Sequence, residues 1–255
     1  MDKKKLLENF GDDEKIEVIN LLDKYNLSCN KDITVFGNDF YTPNIWRYFK
    51  NNLQNSNCTI EDDGFFKEAE RCMIAFNNHY GTPFPYKIIK IENTSKFHTL
   101  SHRDYLGSLL ALGIKRSKLG DLLVKNNICY VPVCEEIQDF ILCNLETIGK
   151  VSCKVSVVDN LVDIPEYELE EEVILVQSRR IDSIVSKLAR VSRSKAQDMI
   201  EEGKVLLDYN KVREKSSELG EDNRVTIRGI GKFIIGNTIG NSKSGKIKIV
   251  IKKYL

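Results

Sequence analysis

The stretch 178–230 constrains this chain most, because two amphipathic helical patterns are followed there directly by two short strands. Ile181, Ile184, Val185 and Leu188 fall at i, i+3, i+4 and i+7, one apolar stripe on a helix. Ser192 offers a side-chain oxygen to the start of a second helix. Ala196, Met199 and Ile200 give that helix its stripe, and Gly203 stands where a left-handed cap is wanted. Residues 205–207 and 224–227 read as strands, with Asn210 at the turn. What remains outside the stripes is basic: Arg179, Arg180, Lys187, Arg190, Arg193, Lys195, Lys204, Lys211 and Arg213. Two helices at an angle with these groups facing outward make a surface suited to phosphates.

Three segments carry a resemblance. Arg180-Ile181-Asp182, Ser192-Arg193-Ser194-Lys195-Ala196 and Met199-Ile200-Glu201-Glu202-Gly203-Lys204-Val205 stand in the order found in the S4 RNA-binding domain, which this stretch resembles. The resemblance implies an RNA contact through the second helix and its flanks. Arg179, Arg180, Arg190, Arg193, Lys195, Lys204 and Lys211 would grip phosphates, while Ser192 and Ser194 add neutral donors beside the helix amides. The stretch departs from the pattern at its turn, Leu207-Asp208-Tyr209-Asn210-Lys211-Val212, where no glycine follows Asn210.

Charge distribution agrees with a basic module. The net charge is only +1, yet residues 177–255 carry 18 Lys and Arg against 9 Asp and Glu, and residues 1–176 carry 20 against 28. A neutral average therefore hides a cationic C-terminal part on an acidic body, the footprint of nucleic-acid binding. The bland alternative, lysines that merely solubilise a small domain, does not account for the clustering. Seven cysteines include no CxxC pair, and their spacing is not that of a zinc ribbon, so they are expected to be reduced thiols packed as small apolar groups in a cytosol. No apolar run reaches the length of a membrane helix, and Met1-Asp2-Lys3-Lys4-Lys5 leads into a mixed charged helix, not a secretory signal. A cytoplasmic protein is expected.

The acidic body reads as two units, with a boundary near residue 84 where Pro83 and Pro85 punctuate the chain. Residues 14–25 carry Ile16, Ile19 and Leu22 at helical spacing. Thr42-Pro43 starts a helix with Ile45, Trp46, Phe49 and Leu53 inside, Trp46 being expected as a core anchor and not a base-stacking platform. From residue 86 the order is strand, helix, strand, strand, helix, strand, that of a ferredoxin-like or RRM-type sandwich. Leu106, Leu109 and Leu110 should face inward on its first helix and Ile137, Phe140, Ile141 and Leu145 on its second. Residues 165–172 read as an acidic linker, and residues 231–235 and 246–254 as a terminal hairpin with Lys246, Lys248, Lys252 and Lys253 on one face. The expected fold class is α+β: an N-terminal α/β domain (1–84), a central RRM-like domain (85–165) and a C-terminal S4 (αL-type) domain with a β-hairpin extension (166–255).

A second motif sits in the central unit: Ser101-His102-Arg103-Asp104-Tyr105-Leu106-Gly107-Ser108-Leu109-Leu110-Ala111-Leu112-Gly113-Ile114-Lys115-Arg116-Ser117-Lys118-Leu119-Gly120-Asp121. His102-Arg103-Asp104 is not a kinase catalytic loop, since the required Asn is Leu109 and no glycine-rich nucleotide loop precedes it. The segment is similar to the signature of YlmH-type S4-domain proteins, as are Ala69-Glu70-Arg71 and Gly229-Ile230-Gly231-Lys232-Phe233. Asp104 reads as a capping-box partner of Ser101. Lys115, Arg116 and Lys118 form a cationic turn past the helix end, equally compatible with complementing the helix dipole and with touching RNA; Arg103 joins them as a candidate contact.

The function expected is non-enzymatic binding of structured RNA. The family resemblance implies rRNA and tRNA on the large ribosomal subunit, in rescue or quality control of stalled translation; a monomer is expected, with no cofactor, metal, membrane or small-molecule substrate. The competing readings are an RNA-modifying enzyme, to which S4 domains are often appended, and a division-linked adaptor whose acidic body docks a protein.

Overall fold

The order of apolar residues along the chain sorts it into layers. The computed structural model describes all residues except 1–2, 13, 68, 96, 159–163, 166–168, 213 and 255, together with the side chain of 254. Contacts divide it into two units, Met1–Glu166 and Tyr167–Leu255.

The first unit begins with α1 (Lys3–Leu7) and α2 (Lys15–Lys31). In α2 the buried series is Val18, Leu21 and Leu22, with Tyr25 half-buried at the next position. Ile16, expected inside, is 73% exposed, because it lies about half a turn away from that series. A three-stranded antiparallel sheet of β1 (Val35–Phe36), β2 (Ile60–Asp63) and β3 (Met73–Phe76), in the order β1-β3-β2, packs with α3 (Pro43–Leu53). Ile45, Phe49 and Leu53 are buried as expected, but Trp46 lies at the rim. Its Nε1 donates to the Glu70 carbonyl at 2.8 Å and the Arg47 guanidinium sits 5.0 Å above its ring. Cys29 and Cys58 are joined as a disulfide, with Cα atoms 5.4 Å apart, so this pair is not reduced as expected from spacing alone; Cys72, Cys129, Cys134, Cys143 and Cys153 are free.

A second sheet in this unit comprises β4 (Tyr86–Asn93), β5 (Leu123–Lys125), β6 (Ile128–Cys134), β7 (Thr147–Ile148) and β8 (Val151–Val157), in the order β5-β6-β4-β8-β7 with every pairing antiparallel. The turn between β5 and β6 is Asn126-Asn127, both with positive φ, the requirement of a tight two-residue hairpin. Helices α4 (His102–Ala111) and α5 (Gln138–Asn144) pack on the sheet face that carries Ile89, Ile91, Cys129 and Val131. Tyr105 and Leu109 are the fully buried residues of α4, while Leu110 is partly exposed; on α5 Ile141 is buried and Phe140 is exposed. Tyr105, which the leucine pattern leaves out, is fully buried, and its hydroxyl donates to the Asn127 carbonyl at 2.7 Å. Part of the opposite sheet face is covered by the first layer, where Phe40 and Met73 pack on Cys134 and Tyr86.

The second unit is one six-stranded sheet with two helices. Its elements are β9 (Leu169–Val176), α6 (Ile181–Leu188), α7 (Arg193–Glu201), β10 (Val205–Leu207), β11 (Asn210–Lys211), β12 (Arg224–Ile227), β13 (Gly231–Asn241) and β14 (Ile247–Tyr254). The strand order is β11-β10-β12-β13-β14-β9, and α6 and α7 close over Val205, Val225, Ile227, Phe233, Ile235, Ile249 and Ile251. Each fully buried aliphatic there contributes about 2 kcal/mol relative to an exposed one.

Four sequence expectations change in this unit. The acidic run is not a linker throughout: Glu170, Glu171 and Glu172 lie in β9, paired with Lys253, Lys252 and Ile251 of β14, so the lysines of one strand offset the acids of its neighbour. The hairpin is no appendage, because β14 lies between β13 and β9 inside the sheet. Lys253 falls on the same face as Ile251 and Ile249, opposite Lys248 and Lys252, since alternate residues of a strand face opposite ways. The β10–β11 turn is Asp208-Tyr209, both at positive φ (45° and 69°), and Asn210 opens β11.

Candidate nucleic-acid interface

The site grows from the ends of α6 and α7. Helix α6 stops where Arg190 adopts a left-handed conformation, φ 55°; its N–H bonds to the Lys187 carbonyl at 3.3 Å and that of Val191 to Ser186 at 3.0 Å. This pair of hydrogen bonds is the usual glycine-type helix ending, here made by an arginine whose side chain is exposed. Two residues later Ser192 caps α7, its Oγ accepting from Lys195 N–H at 3.2 Å. Gly203, φ 69°, closes α7, with the Lys204 N–H on the Met199 carbonyl at 3.0 Å. The first turn of α7 therefore presents Arg193, Ser194 and Lys195 to solvent, flanked by Arg190.

Beneath this surface lies Asp182, whose side chain is wholly buried. Arg193 donates Nε and Nη2 to its two oxygens at 2.9 and 3.0 Å, Arg180 donates Nε and Nη2 at 3.3 and 3.2 Å, and Gln197 Nε2 adds a fifth bond at 2.9 Å. Burial acts to raise the Asp182 pKa, but the bonds from Arg193, Arg180 and Gln197 outweigh it and hold the carboxyl well below the usual carboxylate range. The side chains of Arg180 and Arg193 remain 38% and 43% exposed. One buried anion thus fixes two planar cations by one edge each, leaving outward N–H groups arranged for a phosphate.

The remaining candidates divide sharply. Lys195 lies 3.9 Å from Asp198, and Lys204 pairs with Glu202, all of them well exposed, so such pairs yield readily to a stronger anion. Lys211 is exposed on β11. Arg179 is different: it donates to the carbonyls of Leu219 and Gly236 at 2.6 and 3.2 Å and to Thr238 Oγ1 at 3.0 Å, so it ties the segment before β12 to β13. Arg213 lies outside the described residues.

In the first unit Arg103 and Lys115 are exposed, but Arg116 and Lys118 are engaged internally. Lys118 Nζ reaches Asp39 at 3.0 Å, Glu136 at 2.7 Å and the Asn38 carbonyl at 2.9 Å. Burial lowers its pKa, and the bonds to Glu136 and Asp39 more than restore it. Arg116 donates to the carbonyls of Leu119 and Gly120 and lies 3.8 Å from Asp121. Asp121 in turn accepts the backbone N–H groups of Glu70 and Arg71 at 2.5 and 3.0 Å. The motif around residues 101–121 and the Ala69-Glu70-Arg71 segment are therefore two halves of one seam between the sheets of this unit. Asp104 accepts from the Ser101 N–H at 2.8 Å, the expected capping bond.

Gln197 and the anchoring role of Asp182 were missed by residue patterns, although Gln197 stands one turn after Arg193 on α7. Among the described residues no group of His, Cys, Asp and Glu is placed to hold a metal ion, and no helix is long and apolar enough to cross a membrane.

Residues 81–161 match a family described as an "RNA-binding domain in YlmH", and residues 179–225 match the S4 domain. The chain is 27% identical over 195 residues to the Bacillus subtilis (strain 168) "Ribosome-associated protein quality control protein P2", covering 74% of this chain and 76% of that one. Among solved structures it matches "Cell division protein ylmH from Streptococcus pneumoniae", with 18% identity and a TM-score of 0.49, over 61% of this chain and 97% of that one.

Proposed function

We propose that this chain, a YlmH-type S4-domain RNA-binding protein by its two matched domains, holds structured rRNA and tRNA on the large ribosomal subunit and acts without catalysis in the quality control of stalled translation. The observation that carries the reading is the pair of arginines fixed on Asp182 at the α6–α7 surface. Phosphate gripping combined with shape is how A-form RNA is recognised, since its deep groove hides the base edges. Arg180, Arg190, Arg193, Lys195 and Lys204, with Ser192 and Ser194 at the helix start, supply that grip; Lys211, Arg103 and Lys115 are outlying contacts. The ribosomal setting is supported by the name of the Bacillus relative and its extent of match.

Binding is favoured over RNA modification because both oxygens of Asp182, the one buried acid in this surface, are occupied by five donors and its proton is held off. A general base needs an oxygen free to meet its substrate. We read the order β5-β6-β4-β8, with both helices on one face, as an RRM-type sandwich at residues 85–165, between an N-terminal layer (1–84) and the S4 part (166–255). Phe40 and Met73 lie on part of its other face, which supports a scaffold role there over base reading.

Sedimentation of the tagged protein from a lysate, at low and high salt, tests the proposal. Co-migration with large subunits carrying tRNA at low salt, lost at high salt, is expected. Migration with free protein under both conditions overturns it.

A further inference from the structure

We propose that Cys29 and Cys58 form a reversible redox clasp, closed by a small-molecule disulfide and opened by excess thiol, that sets the stability of the first unit. The pair joins the last turn of α2 to the turn before β2, with Cα atoms 5.4 Å apart and 29 positions of sequence between them. From the RNA-binding reading above the inference takes one thing, a ribosomal setting, in which small thiols keep cysteines reduced. A disulfide found in such a setting is usually a transient or sensing bond and not a fixed staple.

The other cysteines are poorly suited to this chemistry. Burial pushes the thiols of Cys72, Cys129, Cys134 and Cys153 up, which keeps them protonated, and it is the thiolate that attacks a disulfide. Cys143 is exposed but carries no bridge. Within the pair, Cys29 is half-buried and Cys58 is 1% exposed, so a reagent from solvent meets Cys29 first. The Cys29 thiolate attacks one sulfur of a small disulfide RSSR, forming a mixed disulfide and releasing RS⁻. The Cys58 thiolate then attacks the Cys29 sulfur and expels the second RS⁻. The two protons lost by the protein are taken up by the two RS⁻, so one RSSR is consumed and two RSH are formed. Excess RSH runs the same steps backwards.

Hydrogen bonds keep the two sulfurs adjacent when the bond is open. Tyr25, one turn before Cys29, donates its hydroxyl to the Leu53 carbonyl at 2.9 Å and accepts from Asn55 Nδ2 at 3.1 Å. Asn55 and Cys58 exchange backbone bonds at 3.1 and 3.2 Å, which closes the turn between them. Asn77 Nδ2 donates to the Ser28 carbonyl at 3.4 Å, and its Oδ1 accepts from the Thr59 N–H at 2.9 Å, so the neighbours of both cysteines are held by one side chain. Opening the clasp therefore changes stability more than shape, because the bond acts chiefly by closing a loop in the unfolded chain.

The test equilibrates the full chain in reduced or oxidised glutathione, quenches with acid, alkylates free thiols under denaturing conditions and maps the peptides by mass. The oxidised sample should show a peptide pair joining Cys29 to Cys58, with Cys72, Cys129, Cys134 and Cys153 alkylated. Adding reduced glutathione back should open the pair. Trp46 packs against the cluster that contains Cys58, so its fluorescence follows urea unfolding of this core. The unfolding constant of the oxidised form should be smaller by roughly a few hundredfold, the loop-closure value for this separation. Cys29→Ser, a small change at a half-buried position, should unfold like the reduced wild type in both buffers. A Cys29–Cys58 bond that never forms, one that stays closed in reduced glutathione, or equal unfolding constants in the two buffers overturns the clasp. Hairpin-RNA affinity, measured alongside, should not differ between the buffers, since the α6–α7 surface lies in the other unit. Binding in neither buffer removes the RNA-binding reading, while the peptide map still decides the clasp.

Discussion

Replacing Asp182 by Asn separates charge from geometry at the α6–α7 surface. The substitution keeps the volume and removes the anion that receives five hydrogen bonds. An amide oxygen can still accept, but the new NH2 group faces guanidinium N–H donors. Removing one partner of a buried ion pair costs about 3–5 kcal/mol; with both arginine side chains more than a third exposed, water recovers part of that, leaving about 2 kcal/mol. The single tryptophan, Trp46, lies in the first unit, so its fluorescence follows that unit while far-UV dichroism follows both. Urea unfolding of Asp182→Asn should move the dichroism transition to lower denaturant and leave the Trp46 transition in place. Because the folded-state pKa is depressed, the stabilisation is complete above the unfolded value near 4 and is lost as pH falls below it; that acid limb should vanish in the variant. RNA affinity gives the sharper outcome. The variant gains one positive charge, so if the arginines act by charge alone it must bind a hairpin RNA more tightly. If their orientation matters, it binds about three- to tenfold more weakly, on the order of 1 kcal/mol. Tighter binding at fixed salt, measured by anisotropy, would refute the preorganised clamp.

Three other perturbations follow from the same geometry. Arg193→Glu should weaken RNA binding alike for all sequences and make shallower a log–log salt slope expected near −3.5 to −4.5 for about five phosphates; a change confined to sequence preference contradicts phosphate gripping. Lys118→Met should destabilise the unit reported by Trp46 by about 1–3 kcal/mol and leave RNA affinity within twofold, because its ammonium is bound to Asp39 and Glu136; a large loss of RNA binding without destabilisation would show a direct contact. Burial, reinforced by Asp39, pushes the Glu17 carboxyl up from 4.5 to about 7, so the stability of its unit should fall as pH rises through that interval, by on the order of 1–3 kcal/mol. Glu17→Gln should flatten that profile in Trp46-detected melts, and an unchanged profile assigns the dependence elsewhere.

What could be read from residue order was whatever is settled within a turn or two of helix. The stripes of α6 and α7, the Ser192 and Gly203 ends and the Ser101–Asp104 cap depend on neighbours three or four positions apart. The fates of charged side chains were less legible. Lys118 looks like a surface cation until Asp39, far earlier in the chain, is folded against it, and Arg179 until Leu219 and Gly236 come alongside. The acids of β9 resemble a solvated linker until β14 supplies a strand to pair with them. Cys29 and Cys58 are likewise adjacent only in three dimensions. In α2, Ile16 and Val18 lie on opposite faces, and only the layer packed against the helix decides between them.

The placement of β14 between β13 and β9 has a consequence for biosynthesis. Among the described strands of its unit, β9 is made first, yet its one partner there, β14, is made last. Until residues 247–254 have left the exit tunnel, β9 is a loose edge bearing Val173, Ile174 and Leu175, and the layer under α6 lacks Ile249 and Ile251. Closure over so long a separation is slow, because loop entropy must be lost before the contacts repay it. During synthesis the sheet beneath α6 and α7 is therefore completed only after β14 has emerged to take its place between β13 and β9.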